Sequence, residues 1–287
     1  MIISPACIPC IVKQSYTLSC LLGVSDKKLQ NKIIYETMEL LVKEKDFPTA
    51  PHFSSKLQSL IKQNLNGKAS YKEIKEKNRK LAEKYVKYLK SMVEASSDKL
   101  ETALRISIIG NTIDIGANPN FNLENEINTL TSDKINLDLL ESFRKDLRTA
   151  KQILFIADNY EEAVFDKILI EQFLPKKVVF AVRSSEILND ITLEDAKSLG
   201  IDKLCDVIES GSKISGTALE QVSKEFKEMF DSSDLVIAKG QGNFETLFDA
   251  DRKIYFLFKI KCEPIAELCG HPAGTGILYL KKRESYD

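Results

Sequence analysis

Two hydrophobic periods divide this chain. Over the first hundred residues, apolar positions recur at three- and four-residue steps. Ile34, Met38, Leu41 and Val42 make one set, and Leu57, Leu60, Ile61 and Leu65 make another. That spacing predicts amphipathic helices. The segment 71–95 is rich in Lys and Glu, with a stripe of Ile74, Leu81, Tyr85, Leu89 and Met92, so its charged face reads as a solvated helix surface. Asn78 falls on the apolar side of that stripe. A buried amide needs hydrogen-bond partners, which packing contacts or a site would both supply.

After residue 150 the pattern changes to short, β-branched apolar runs at 153–157, 178–182, 235–238 and 254–258. Continuous rather than alternating apolarity predicts strands buried on both faces, as in a parallel sheet. Helical patterns lie between or near them at 161–173, 192–199 and 217–230. The expected fold class is therefore α/β: a Rossmann-like, mostly parallel sheet with helices on both faces, plus an N-terminal all-helical subdomain. The expected division is 1–100 helical and 101–287 α/β, joined as one continuous unit. The boundary near 120–150 includes Asn118-Pro119-Asn120-Phe121-Asn122, a turn-rich stretch that reads as a loop or small insertion.

Composition narrows the classes. With 43% hydrophobic and 29% charged residues in 287, the chain is not a disordered one. Its 41 basic and 42 acidic side chains leave no global electrostatic case for nucleic acid. No run of about 18 apolar residues predicts a membrane span. The first residues lack the basic and apolar regions of a signal peptide, and six cysteines without regular spacing suggest reduced thiols, so a cytoplasmic location is expected. Two histidines exclude a His-rich dinuclear site, which pushes any metal chemistry onto oxygen ligands.

The chemistry-bearing residues follow the strands. Asp158-Asn159 comes after the first run, Arg183 through Asn189-Asp190 after the second, Lys239 through Thr246 after the third, and Lys261-Cys262 after the fourth. Open parallel sheets bind ligands beyond the carboxyl ends of their strands, where such loops converge. Asp158, Asn159 and Asp190 are hard oxygen donors suited to Mg²⁺ or Mn²⁺. Lys239 and Lys261 suit an anion, with phosphate the usual companion of such a metal. The Gly240-Gln241-Gly242 turn offers backbone N–H groups at a helix start, and Asn243 and Glu245 follow as further substrate-binding candidates. Glu245 stands where a dinucleotide fingerprint has its third Gly, so no nucleotide cofactor is expected. Upstream, Asn111 and Asp114 lie three apart, either as site residues or as helix caps. Cys7-x-x-Cys10 has the spacing of half a soft-metal or redox site, completed by Cys262, Cys269 and His271 if they meet; buried structural thiols are the alternative.

In order along the chain stand Gly110-Asn-Thr-Ile-Asp114, Asp158-Asn159 with Glu162 and Asp166, Asn189-Asp190-Ile-Thr-Leu-Glu-Asp195-Ala, and Lys239-Gly-Gln-Gly-Asn-Phe-Glu-Thr246. This ordered set resembles the family catalogued as domain of unknown function 89, the damage-control phosphatases with an acidic-residue-methyltransferase-like metal-binding domain. Cys7-Ile-Pro-Cys10 and the helix beginning at Tyr71 resemble its prokaryotic branch. The resemblance covers 7–280 and implies a divalent-metal-dependent phosphatase (Mg²⁺, Mn²⁺, Co²⁺ or Ni²⁺) acting on sugar phosphates or damaged phospho-metabolites. It implies Asp158, Asn159 and Asp190 as metal ligands and Lys261 as a phosphate-binding lysine. Asp158, Asp190 and Asp114 are the catalytic candidates, with the choice between water and a carboxylate as nucleophile left open. Two departures stand out. Phe258 and Lys259 occupy the Arg and Thr positions of the family's Arg-Thr-x-Lys motif, and Glu161 occupies a position where many members have Gly. The alternatives are a non-catalytic binder of metal and phospho-ligand, and a carboxylate methyltransferase. The second lacks a Gly-rich loop after the first strand.

Overall fold

The structure, a computed structural model, describes residues 3–44, 47–68, 70–112, 122–130, 132 and 134–281. Helices α1 (Cys7–Leu21), α2 (Lys27–Lys43) and α3 (Ala50–Asn64) form a small apolar cluster through Leu18, Ile33, Phe53, Leu57 and Ile61. The long α4 (Lys72–Ala95) runs from this cluster to the main core, where Ala82, Leu89 and Val93 are buried. Side chains cap several helices as the sequence pattern requires: Asp26 accepts the Lys28 N–H ahead of α2, and Asp98 accepts the Glu101 N–H ahead of α5 (Lys99–Gly110).

The main body is a seven-stranded sheet, and its elements in chain order are α6 (Leu123–Ile127), β1 (Ile135–Asn136), α7 (Leu140–Thr149), β2 (Gln152–Ile156), α8 (Ala163–Glu171), β3 (Lys177–Val182), α9 (Leu193–Ser198), β4 (Asp206–Glu209), α10 (Lys224–Ser232), β5 (Leu235–Lys239), α11 (Gly240–Leu247), β6 (Ile254–Lys259), α12 (Glu263–Cys269) and β7 (Gly276–Lys281). The strand order is β1-β7-β6-β5-β2-β3-β4, and every pairing is parallel except β6 with β7. The α/β class read from the apolar runs is what the chain adopts. Ile153 and Phe155 point into the core shared with α5, α7 and α8, while Leu154 and Ile156 point into the core shared with α10, α11 and α12. Both faces of β2 are therefore dry, which is why its run is continuous rather than alternating.

Topology sets the site. From β2 the chain steps to β3 and β4 on one side, then crosses back to lay β5 on the other side of β2. The crevice outside the carboxyl ends of β2 and β5 is thus a topological switch point.

Several elements differ from the sequence expectation. The turn-rich stretch read as a loop lies, up to Phe121, outside the described residues; beyond it stand α6, β1 and α7, and α7 buries Phe143 and Leu147 at four-residue spacing on an otherwise polar helix. β4 and β7 carry too few fully buried positions to register as apolar runs. The α4 surface is not wholly solvated either, because Lys75 and Asn78 are buried. The central packing yields a stability prediction. Phe155 is fully buried, with its ring stacked on Phe180 at a 5.4 Å centroid separation. Phe155→Ala should cost about 3–5 kcal/mol in urea unfolding. A loss below about 1 kcal/mol would contradict its place in the core.

Candidate active site

Three strand ends build the outer layer of the site. Asp158 follows β2 and is buried; its Oδ2 accepts from Asn111 Nδ2 and from Asn159 Nδ2, each at 3.1 Å. The Asp158 Oδ1 atom lies 3.7 Å from the Arg183 guanidinium, which leaves β3. Arg183 Nε donates to Asp190 Oδ2 at 2.7 Å, and Ser215 Oγ donates to Asp190 Oδ1 at 3.0 Å. A bridge pairs Asn159 with Asp190. The Ile191 N–H reaches the Asp158 carbonyl at 2.9 Å and the Tyr160 N–H reaches the Asn189 carbonyl at 2.8 Å, so the two acidic loops are stitched together through their backbones.

An inner layer lies beneath. Lys239, at the end of β5, is fully buried and donates to the Ser107 carbonyl at 2.9 Å, to Asp166 Oδ1 at 2.8 Å and to Glu162 Oε1. Glu162 Oε2 accepts from Asn111 at 2.9 Å and from Asn159 at 3.1 Å. Asn111 Oδ1 accepts the Lys259 N–H at 3.1 Å, so this one amide ties the end of α5 to Asp158, Glu162 and β6. Gly240 makes the crossing possible. Its φ is +80°, and a Cβ there would stand 1.8 Å from Asp158 Oδ2. Only glycine lets the start of α11 approach the carboxylate so closely.

Charge is unevenly paid back in this pocket. Asp158, Glu162, Asp166 and Asp190 meet the fully buried Lys239 and Arg183, while a third buried cation, Lys75, pairs with Asp195 and reaches the Asp190 carbonyl. Burial, then Asp190 and Glu162, hold the Asp158 carboxyl well above the carboxylate range. Burial also raises Asp190, against the pull of Arg183 and Ser215. Burial works against the charge on Lys239, but Asp166 and Glu162 more than offset it, and the ammonium is held charged. Burial pushes Asp166 up to about 6 and Glu161 up to about 8, the latter although Asn78 and Asn189 both donate to it. The negative excess and an all-oxygen donor set of two carboxylates and an amide fit a hard divalent cation. Among the described residues, no three of His, Cys, Asp and Glu are placed as a metal cage.

The residues expected to bind phosphate do not all face an open position. Lys239 spends its donors on the inner layer. Asn243 is buried, donating to the Ala157 and Lys239 carbonyls at 3.0 and 2.7 Å and accepting from Thr217 and Arg183, so it braces strand ends. Asn111 is likewise fully engaged. Lys261 lies near the site: its charge acts on both Asp158 and Glu245, while its N–H reaches Gln241 Oε1 at 2.9 Å. Glu245 is pushed up to about 7 by burial and lines a separate 240 Å³ cavity with Cys7 and Cys262. Cys7, Cys10 and Cys262 are free thiols, Cys10 is exposed, and among the described residues no three His, Cys, Asp or Glu side chains are grouped as a metal cage. Asp114 lies outside the described residues. Arg183, Ser107 and Thr217 were absent from the expected set. A strand-end arginine in an apolar run was the one available signal for Arg183.

A family profile described as the damage-control phosphatase ARMT1-like domain matches residues 3–277. The chain belongs to that family. A damage-control phosphatase of Pyrococcus horikoshii is 34% identical over 276 residues, covering 94% of each chain. An uncharacterized protein of Methanocaldococcus jannaschii is also 34% identical, over 96% of this chain and 94% of that one. A damage-control phosphatase of Archaeoglobus fulgidus is 29% identical over 96% of this chain and 97% of its own. The crystal structure of a DUF89 family protein from P. horikoshii superposes with a TM-score of 0.86 at 30% identity, covering 99% of this chain and all of that one.

Two predictions come from this geometry. Gly240→Ala should fold with reduced stability and lose about 100-fold or more of its phosphatase activity, because Asp158 must move by an ångström or more. Retained activity in a steady-state assay would contradict that close approach. The second concerns pH. Glu161 binds its proton more tightly in the folded protein (about 8) than at its ordinary 4.5, so its contribution to stability is full below 4.5 and is lost as pH rises through about 8. Urea unfolding across pH 5–9 should show a downward slope that Glu161→Gln flattens.

Proposed function

We propose that this protein is a divalent-metal-dependent phosphatase of small phosphorylated metabolites, sugar phosphates or damaged phospho-metabolites among them, with Asp158, Asn159 and Asp190 holding the cation. The observation that carries this reading is the convergence of two buried carboxylates, short of positive charge, at the switch point of the sheet. A bound divalent cation supplies Lewis-acid stabilisation of a phosphoryl oxygen and lowers the pKa of a water.

The protein's own groups do the positioning. Asn111 and Arg183 hold Asp158 between them, and Arg183 and Ser215 hold Asp190 from two directions. Because both Asp190 oxygens accept hydrogen bonds, its carboxylate stays oriented rather than turning to collect a proton. Asp158 Oδ1, with the longer contact to Arg183, is the better placed proton acceptor of the two aspartates, and Asp114 stands as the other candidate on sequence grounds. Lys261 offsets charge that develops on a phosphoryl oxygen. Lys239 does so only indirectly, by keeping Glu162 and Asp166 neutralised below.

Hydrolysis of an aryl phosphate and of a panel of sugar phosphates should require added Mn²⁺, Mg²⁺, Co²⁺ or Ni²⁺ and stop on chelation. Asp158→Ala should lower kcat by about 10²-fold or more, and Lys261→Ala should raise KM for the phosphate ester by about 10-fold. Turnover that survives chelation, or an undiminished Asp158→Ala variant, would sink the metal role.

A further inference from the structure

Glu161, three positions beyond Asp158, is fully buried. Each of its carboxyl oxygens has its own partner. Oε1 accepts from Asn78 Nδ2 of α4 at 3.1 Å, and Oε2 accepts from Asn189 Nδ2 at 3.2 Å. Asn78 is the amide that interrupts the apolar stripe of α4, and Asn189 immediately precedes Asp190. One turn earlier on α4, Lys75 donates to the Asp190 carbonyl at 3.0 Å and to Asp195 Oδ2 at 2.6 Å. A single helix face therefore grips both acidic loops from above. The Asn78–Glu161–Asn189 chain joins the turn that carries Asp158 and Asn159 to the one that carries Asp190.

We propose that Glu161 is a positioning residue that, with Asn78, lets α4 set the spacing between the Asp158-Asn159 turn and the Asn189-Asp190 turn, and so sets divalent-metal affinity. The role rests on the metal reading given above. Outer partners that orient ligands govern affinity without touching the ion. Two backbone hydrogen bonds and the Arg183 guanidinium tie the loops to each other, and the Asn78–Glu161–Asn189 chain adds a further tie that is anchored outside them, on α4.

The test is titration of chelator-treated protein with Mn²⁺, followed by calorimetry or by the EPR signal of free Mn²⁺, alongside thermal melts and kcat and KM at saturating metal. Glu161→Ala and Asn78→Ala should each weaken Mn²⁺ binding by about 10- to 100-fold, while kcat at saturating metal falls far less. Because the two residues act through one chain, the double variant should be no weaker than about threefold below the poorer single one. Glu161→Gln should recover affinity to within about threefold of the unaltered protein, since an Asn amide can turn to present its oxygen. Folded alanine variants that bind Mn²⁺ as the unaltered protein does would overturn the proposal and leave the metal reading intact. So would a glutamine variant as weak as alanine, which would show that charge rather than hydrogen bonding acts here. If the alanine variants do not fold, Asn78→Leu is decisive, since it keeps the volume of the amide and cannot hydrogen-bond: Mn²⁺ affinity equal to that of the unaltered protein overturns the role. Unaltered protein that binds no divalent cation overturns both the role and the reading beneath it.

Discussion

The site depends on keeping several carboxylates at fixed places inside a dry sheet. Lys239 and Arg183 make that tolerable. Each is fully buried, and each carries hydrogen bonds to two or more oxygen acceptors. Removing one partner of such a buried pair strands the other charge, which costs several kcal/mol, whereas the intact pair gains little net stability. The two cations are therefore better understood as devices that specify where the acids point. Lys239 anchors Glu162 and Asp166, Glu162 orients Asn111 and Asn159, and those amides orient Asp158.

That order runs from the inside outward, and both layers keep more acid than base. Had every acid been neutralised within the protein, the pocket would offer an incoming cation nothing. Lys239 is shared by Glu162 and Asp166 in the inner layer, Arg183 is shared by Asp158 and Asp190 in the outer one, and burial raises Asp158, Asp166 and Asp190 alike. Sheet topology supplies the location for this imbalance, since the β2–β5 crevice is open to loops on both sides. Gly240 supplies the closeness.

Much of the architecture was legible beforehand for a simple reason. Strands buried on both faces must be apolar at every position, so β2, β3, β5 and β6 announce themselves as continuous runs. β4 and β7 do not, because they are partly exposed, and α7 was hidden because only two of its ten residues are buried. At the site, residue type and strand-end placement marked Asp158, Asn159, Asp190 and Lys261 as candidates. Lys239 and Asn243, marked by the same logic, turn inward, because a lysine or an amide at a strand end can face a ligand or brace the fold. The direction depends on partners from distant segments, Ser107, Glu162 and Asp166 in one case, Thr217 and Arg183 in the other.

Local chemistry by itself determined which segments form the sheet, which strand ends bear acids, and that a His-rich metal site is excluded. Those properties follow from a single residue's polarity and from the two- and 3.6-residue periods of the backbone, which are present in the linear chain. Only the tertiary structure decided which acids are neutralised, which lysine is spent on structure, and that Asn78 of the helical cap meets Glu161 across 83 positions of sequence. Such pairings are set by how α4, α5 and β5 cross at one end of the sheet. A hydrogen bond needs its two atoms within about 3 Å, and nothing in the spacing of residues along the chain encodes that distance.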